Sequence, residues 1–301
     1  MSVVDGHILQ IVGDRGDNSV VIAQVDDQST VTGDGSTPIT YTGIDAVRVN
    51  TWAGDDSVSL TCRFTSFAQP SNFSFALRLG AGNDTFQLSI PRAPEMPPGS
   101  QPFPKAEFAV SAGAGNDVLE ERVDAVAITS ELSIELDSGA GDDMNTAILL
   151  PAVQRGGSVR YRYDGGAGDD MNTAIILPAV QRGGKFSASF DGGAGRDVLT
   201  GFVEDPNLMP GGMVDVSFLG GRGDDRIDVR VDLTGFTPES GQLRLAVDGG
   251  PGSDHMTLLV APGGSPRMEN AQLTLDGGAG EDFGVVSPSV DVSDVEHKVV
   301  A

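Results

Sequence analysis

Residues 139–157 read GAGDDMNTAILLPAVQRGG, and residues 166–184 read GAGDDMNTAIILPAVQRGG. Two stretches this alike, offset by 27 residues, mark a duplicated unit. An array that tolerates a duplicated unit has units that interact mainly with their neighbours, which is the logic of a solenoid. Working outward, the same glycine-rich turn recurs as TWAGDD, LGAGND, AGAGND, SGAGDD, GGAGDD, GGAGRD, GGRGDD, GGPGSD and GGAGED. Each ends on an aspartate: Asp56, Asp84, Asp117, Asp143, Asp170, Asp197, Asp225, Asp254 and Asp282. Successive gaps are 28, 33, 26, 27, 27, 28, 29 and 28 residues.

Before each turn apolar residues alternate with polar ones, as in Val159, Tyr161, Tyr163 or Val214, Val216, Phe218. Period two describes a half-buried strand. The alternation resumes after the turn in Phe86, Leu88, Ile90 and in Ile227, Val229, Val231. Each unit is therefore strand, turn, strand and return loop, with Pro151, Gly156, Gly157, Pro178, Gly183 and Gly184 punctuating the returns. No helix signal competes. The pattern predicts an all-β, parallel β-solenoid of the β-roll or β-helix kind, with about nine coils of ~28 residues and one glycine-rich Asp turn per coil. An antiparallel reading, each turn closing a hairpin of a barrel or sandwich, shares the same periodicity.

Three regions follow. Residues 1–49 are expected to cap the N-terminal end, with GDRGDN at 13–18 matching the turn only loosely. Residues 50–284 form the repeats, interrupted by a proline-rich surface insertion at 91–104, and 285–301 add a last strand or tail.

Composition narrows the function. Forty-three acidic residues against 19 Lys and Arg give a formal net charge of −24, which repels nucleic acid and anionic membranes and favours cations as partners. The lone Cys62 excludes an internal disulfide and reads as a core residue. No apolar run is long enough to span a bilayer, and the opening residues lack a cleavable signal pattern.

In five units a second acid, Asp137, Asp164, Asp191, Asp248 or Asp276, stands six residues before the final Asp, so two carboxylates bracket the glycine loop. Stacked coils repeat every ~4.8 Å, which turns one Asp per coil into a column of like charges. At about 5 Å each adjacent pair repels by roughly 1 kcal/mol in water and about 3 kcal/mol at an effective dielectric of 20. Calcium takes six to eight oxygen ligands from carboxylates and carbonyls in flexible geometry, so several ions between coils are expected to neutralise the column. The candidate metal residues are these five acids together with the nine turn aspartates.

These turns resemble the repeats-in-toxin (hemolysin-type) calcium-binding nonapeptide, GGxGxDxUx, where U is a large apolar residue. GGAGRDVLT from Gly192 and GGRGDDRID from Gly220 fit throughout, with Leu199 and Ile227 at U. Asn145, Asn172 and Gly284 depart at U, and Thr51 and Trp52 replace two glycines in the first unit. The family's tandem spacing gives two such turns per coil, whereas one per unit here predicts a single calcium edge. The resemblance implies export without an N-terminal signal and folding on meeting extracellular calcium.

The expected function is a calcium-stabilised structural or adhesive module at the cell surface or outside the cell, not an enzyme, with end-to-end association of copies as a further expectation. A polysaccharide-acting β-helix enzyme is the alternative. His7, His255 and His297 lie far apart in sequence, and the acids repeat with the coil instead of gathering at one place. Ice binding would need a long rank of Thr or Asn, of which only Thr146 and Thr173 are visible.

Overall fold

The computed structural model describes residues 2–63, 72–92, 105–124, 127–154, 156–204, 207–234, 241–261 and 270–301. Most of the expected insertion, from residue 93 to 104, lies outside them. The described chain is all β, with no helix, and forms a parallel solenoid.

Each coil contributes one strand to each of two long sheets, for example Ser158–Asp164 before its turn and Met171–Ile176 after it. Neighbouring coils pair in parallel without slip: Leu136 lies beside Tyr163 and Tyr163 beside Phe190, while Asn145 lies beside Asn172 and Asn172 beside Leu199. A one-residue slip would turn every apolar side chain outward, so the alternation holds the register. The hairpin alternative is excluded throughout the repeats.

The apolar residues read from the alternation line the bore. Val159, Tyr161, Phe186, Phe190, Val214, Phe218, Leu199 and Ile227 are all buried. Aromatic rings meet from coil to coil, with tilted Tyr161 and Phe190 centroids 5.2 Å apart and stacked Phe190 and Phe218 centroids 5.0 Å apart. Small residues on the facing sheet make room for them: a β-carbon added to Gly201 would stand 2.3 Å from the Phe218 ring. Cys62 is fully buried, and burial pushes its thiol well above the usual range, as expected of a core residue.

The return loops hold a third, short sheet that the sequence did not announce. Ala127–Ile128, Ala152–Val153, Ala179–Val180 and Asn207–Leu208 stack in parallel and bury Ile128, Val153, Val180 and Leu208. The bore is thus triangular in its middle coils.

Residues 2–50 combine a cap and a coil. Ile8–Val12 and Ser19–Val25 pair in parallel with the next coil, so the stacking reaches back to the loosely matching GDRGDN turn. Antiparallel strands Ser2–Asp5, Gln28–Gly33 and Ile39–Thr42 close that end, an arrangement that covers otherwise unpaired edges. At the other end Asp291–Ser293 and His297–Val300 continue the two sheets.

Candidate metal edge along the glycine turns

The turn starts where the apolar alternation of the first sheet meets two glycines, the first of which is replaced by Trp52 in the first unit. In the turn of Asp170, Gly166 and Gly168 have φ of 92° and 144°, and their α-carbons press on the previous coil, so that added β-carbons would stand 2.1 and 2.0 Å from the Gly139 and Gly141 carbonyl oxygens. The final Asp then points inward beneath the turn. All nine turn aspartates are buried, at 0 to 3% exposure.

Their first carboxylate oxygens form a continuous ladder. The backbone N–H of Asp56 donates to Asp84 Oδ1 at 2.7 Å, Asp84 to Asp117 at 2.7 Å, Asp117 to Asp143 at 2.7 Å and Asp143 to Asp170 at 2.8 Å. Asp170, Asp197, Asp225 and Asp254 continue it, each donating to the next at 2.8 Å. Two residues that the sequence reading missed end the ladder. Asn18 donates its backbone N–H to Asp56 Oδ1 at 2.7 Å, and Asp282 donates to Glu296 Oε2 at 2.8 Å. Asn18 occupies the final-Asp place of GDRGDN, a signal obscured by its 38-residue distance from Asp56.

A second ladder runs the other way through the preceding residue. Asn83 N–H donates back to Asp55 Oδ1 at 2.8 Å, Asn116 to Asn83 at 2.9 Å, Asp169 to Asp142 at 2.9 Å and Ser253 to Asp224 at 2.9 Å. Each turn is therefore tied to both neighbours. Hydrogen bonds to charged groups contribute about 1.5 to 3 kcal/mol each.

The second oxygens are different. Oδ2 of Asp56, Asp84, Asp117, Asp143, Asp170, Asp197, Asp225, Asp254 and Asp282 is buried and has no hydrogen-bond partner. Burial raises Asp143 and Asp197 to about 7 and Asp84, Asp170 and Asp254 to about 6; the hydrogen bond from the preceding coil partly offsets this.

The turn's first residue divides these nine sites. Where it is glycine, its α-carbon packs so closely on the turn Asp and a neighbouring carbonyl that no β-carbon fits. A β-carbon added to Gly192 would stand 2.6 Å from both Asp197 Oδ2 and the Gly220 carbonyl oxygen, and one at Gly220 would stand 2.5 Å from both Asp225 Oδ2 and the Gly249 oxygen. Gly165 relates in this way to Asp170 and Gly192, Gly249 to Asp254 and Gly277, and Gly277 to Asp282 and Asp294. At Asp56, Asp84, Asp117 and Asp143 the same place carries Thr51, Leu79, Ala112 and Ser138. The oxygen-only donor set beside these glycines has the chemistry that suits a hard cation such as calcium.

The two carboxylates expected to bracket the loop stand on different faces, yet, beyond burial, repulsion from Asp164 helps raise Asp170 and repulsion from Asp276 helps raise Asp282. Asp137, Asp164, Asp191, Asp248 and Asp276 stand in the outward-facing phase of the first sheet, partly or fully exposed, while the turn aspartates lie inward. Asp137, Asp164 and Asp191 form one column, as do Asp248 and Asp276, with Leu219 between the two. Burial, with repulsion from column neighbours, raises Asp137, Asp191 and Asp248. Among the described residues no three His, Cys, Asp or Glu side chains converge as a metal site.

A groove escaped the sequence, and the Thr146 and Thr173 rank runs one coil further than read. A groove of about 810 Å³ crosses the outer face of the first sheet over the small Ala76 and Ala109, with Arg48 and Arg78 toward one end and Glu135, Asp137, Arg162 and Asp164 toward the other. The outward threonine column contains Thr146, Thr173 and Thr200 before Asp228 interrupts it. Comparison with family models, with curated proteins and with solved structures gives no match.

Proposed function

We propose that the chain is a structural and adhesive β-solenoid module of the cell surface or extracellular space whose turn edge is fastened by several calcium ions. The observation that carries this reading is the row of buried Oδ2 atoms without partners, five of them beside a glycine whose close packing brings a neighbouring backbone carbonyl near. An isolated buried charge is strongly unfavourable, so the row calls for protons or cations. Calcium, when bound, would supply the neutralising charge. Asp170, Asp197, Asp225, Asp254 and Asp282 would hold it with the facing carbonyls, and Oδ1 would keep its backbone hydrogen bond. The resemblance to calcium-binding nonapeptides and the net charge of −24 support the same assignment. End-to-end association of copies belongs to this proposal.

Isothermal titration calorimetry of chelator-stripped protein tests it. Several calcium ions should bind per chain, with magnesium much weaker because it demands a rigid octahedral shell. Asp197→Asn with Asp225→Asn should lower the number bound. Absence of calcium binding would leave a hydrogen-bonded, proton-neutralised Asp ladder and overturn the proposal.

The groove favours a second reading, in which the flank binds or cleaves a polysaccharide. Its Arg48, Arg78, Glu135 and Arg162 vary from coil to coil instead of repeating, which is the irregularity such a site needs. Glycan binding and release of reducing ends, each lost in Arg48→Ala and Arg78→Ala, would support it. Inertness toward neutral and anionic glycans would remove it.

A further inference from the structure

The departures of Asn145 and Asn172 from the apolar position of the turn motif find their reason in the bore. Asn145 Nδ2 donates to the Tyr161 hydroxyl at 3.2 Å and to Asn172 Oδ1 at 3.2 Å. Tyr161 in turn donates its hydroxyl to Glu121 Oε2 at 2.8 Å, across 40 residues and from the opposite sheet. Glu121 is 2% exposed, and its neighbours in the adjacent coils are Leu88 and Ala147. The short Ala147 side chain leaves room for Tyr161 to reach past the intervening coil.

This cluster is unbalanced. Glu121 Oε1 and Asn145 Oδ1 are buried acceptors without partners, and Asn172 Nδ2 is a buried donor without one. Among the described residues no Lys, Arg or His is buried, so Glu121 has no counter-charge in the bore. The titratable groups around it are Glu120 on its own strand, Tyr161, and the neighbouring Tyr163, which itself feels Asp143 and Asp170. All are acids, and none can neutralise a carboxylate.

We propose that Glu121, held by Tyr161 and flanked by Asn145 and Asn172, is a proton-binding site inside the bore, and that its neutral form locks three successive coils together. A proton on Oε1 removes the buried charge and converts an unpartnered acceptor into a donor. Loss of that proton leaves a bare carboxylate between apolar walls, so alkaline conditions loosen the middle of the solenoid. Desolvation raises Glu121 to about 8, with the Tyr161 hydrogen bond acting in the opposite sense, which agrees with the geometry. The site is independent of the calcium edge.

The sign of the effect follows from the shift. An unfolded glutamate releases its proton near pH 4.5, whereas the folded one keeps it to about 8. Folding therefore favours protonation, and stability falls as pH rises through this window. Measured in chelator, the folding equilibrium constant of the wild type relative to Glu121→Gln should fall about tenfold per pH unit between roughly 5 and 8 and level off above. Parallel curves for the two proteins would overturn the proposal. A second readout uses the folded wild type alone: with ¹³C-labelled glutamate, infrared spectra at pH 7 should contain a buried protonated carboxyl band. Tyr161→Phe should move the band's titration midpoint upward, because the lost hydrogen bond favoured the charged form. No such band at pH 7, or an unmoved midpoint, would equally overturn it.

Discussion

The backbone N–H of Asp143 donates to Oδ1 of Asp170, 27 residues later, at 2.8 Å, while Oδ2 of the same Asp170 carboxylate has no partner. One side chain thus does two things: it joins adjacent coils through a charge-assisted hydrogen bond and leaves a buried negative oxygen to be neutralised. Repeated along the stack, that division separates what holds the coils in register from what a cation would add.

Two substitutions at Asp197 should distinguish these contributions. Asp197→Asn can keep the acceptor for Asp170 N–H and removes the buried charge, so in chelator at pH 8 it should be neutral or stabilising. Asp197→Ala leaves Asp170 N–H unpaired and should cost about 1 to 3 kcal/mol. Urea denaturation of both variants measures the difference.

Acid should stabilise the calcium-free protein. Asp143 and Asp197, raised to about 7, and Asp84, Asp170 and Asp254, raised to about 6, bind protons more readily folded than unfolded. Their contribution is complete below about pH 4 and is lost as pH rises through 6 to 7. The melting temperature in chelator should therefore rise as pH is lowered from 8 to 5, and calcium should act most strongly at the alkaline end, where protons compete least.

Crowding a turn glycine should remove an ion. Gly249 has no positive φ, yet a β-carbon there would stand 2.3 Å from Asp254 Oδ2 and 2.6 Å from the Gly277 oxygen. Gly249→Ala should lower both the calcium stoichiometry and the melting temperature. Atomic emission after dialysis against calcium counts the ions.

The bore should resist a single methyl. Gly201→Ala drives a carbon into the Phe218 ring, 2.3 Å away, and overpacking of this kind costs about 1 to 3 kcal/mol. Thermal unfolding should reveal a lower midpoint with calcium binding retained.

The parallel stack was legible because every coil makes nearly the same demands on its backbone: a glycine-rich turn pressed on the previous coil, an inward Asp and a flanking alternation. Asn18 was hidden by the antiparallel strands Gln28–Gly33 and Ile39–Thr42, which lengthen the first interval to 38 residues. The third sheet was hidden because strands of two residues carry no period. Asp164 and Asp170, six residues apart, feel each other's charge, but the turn between them exchanges the outer face for the inner, and spacing alone does not record that. The Glu121–Tyr161 contact depends on which side chains meet across the bore two coils apart. No local pattern encodes it.

The most direct test of the calcium edge is the thermal unfolding midpoint of chelator-stripped protein at neutral pH, followed by circular dichroism during a calcium titration with magnesium as control. The account predicts a saturable, calcium-specific rise in the midpoint that is reduced in Asp197→Asn with Asp225→Asn. A midpoint unmoved by millimolar calcium would contradict it.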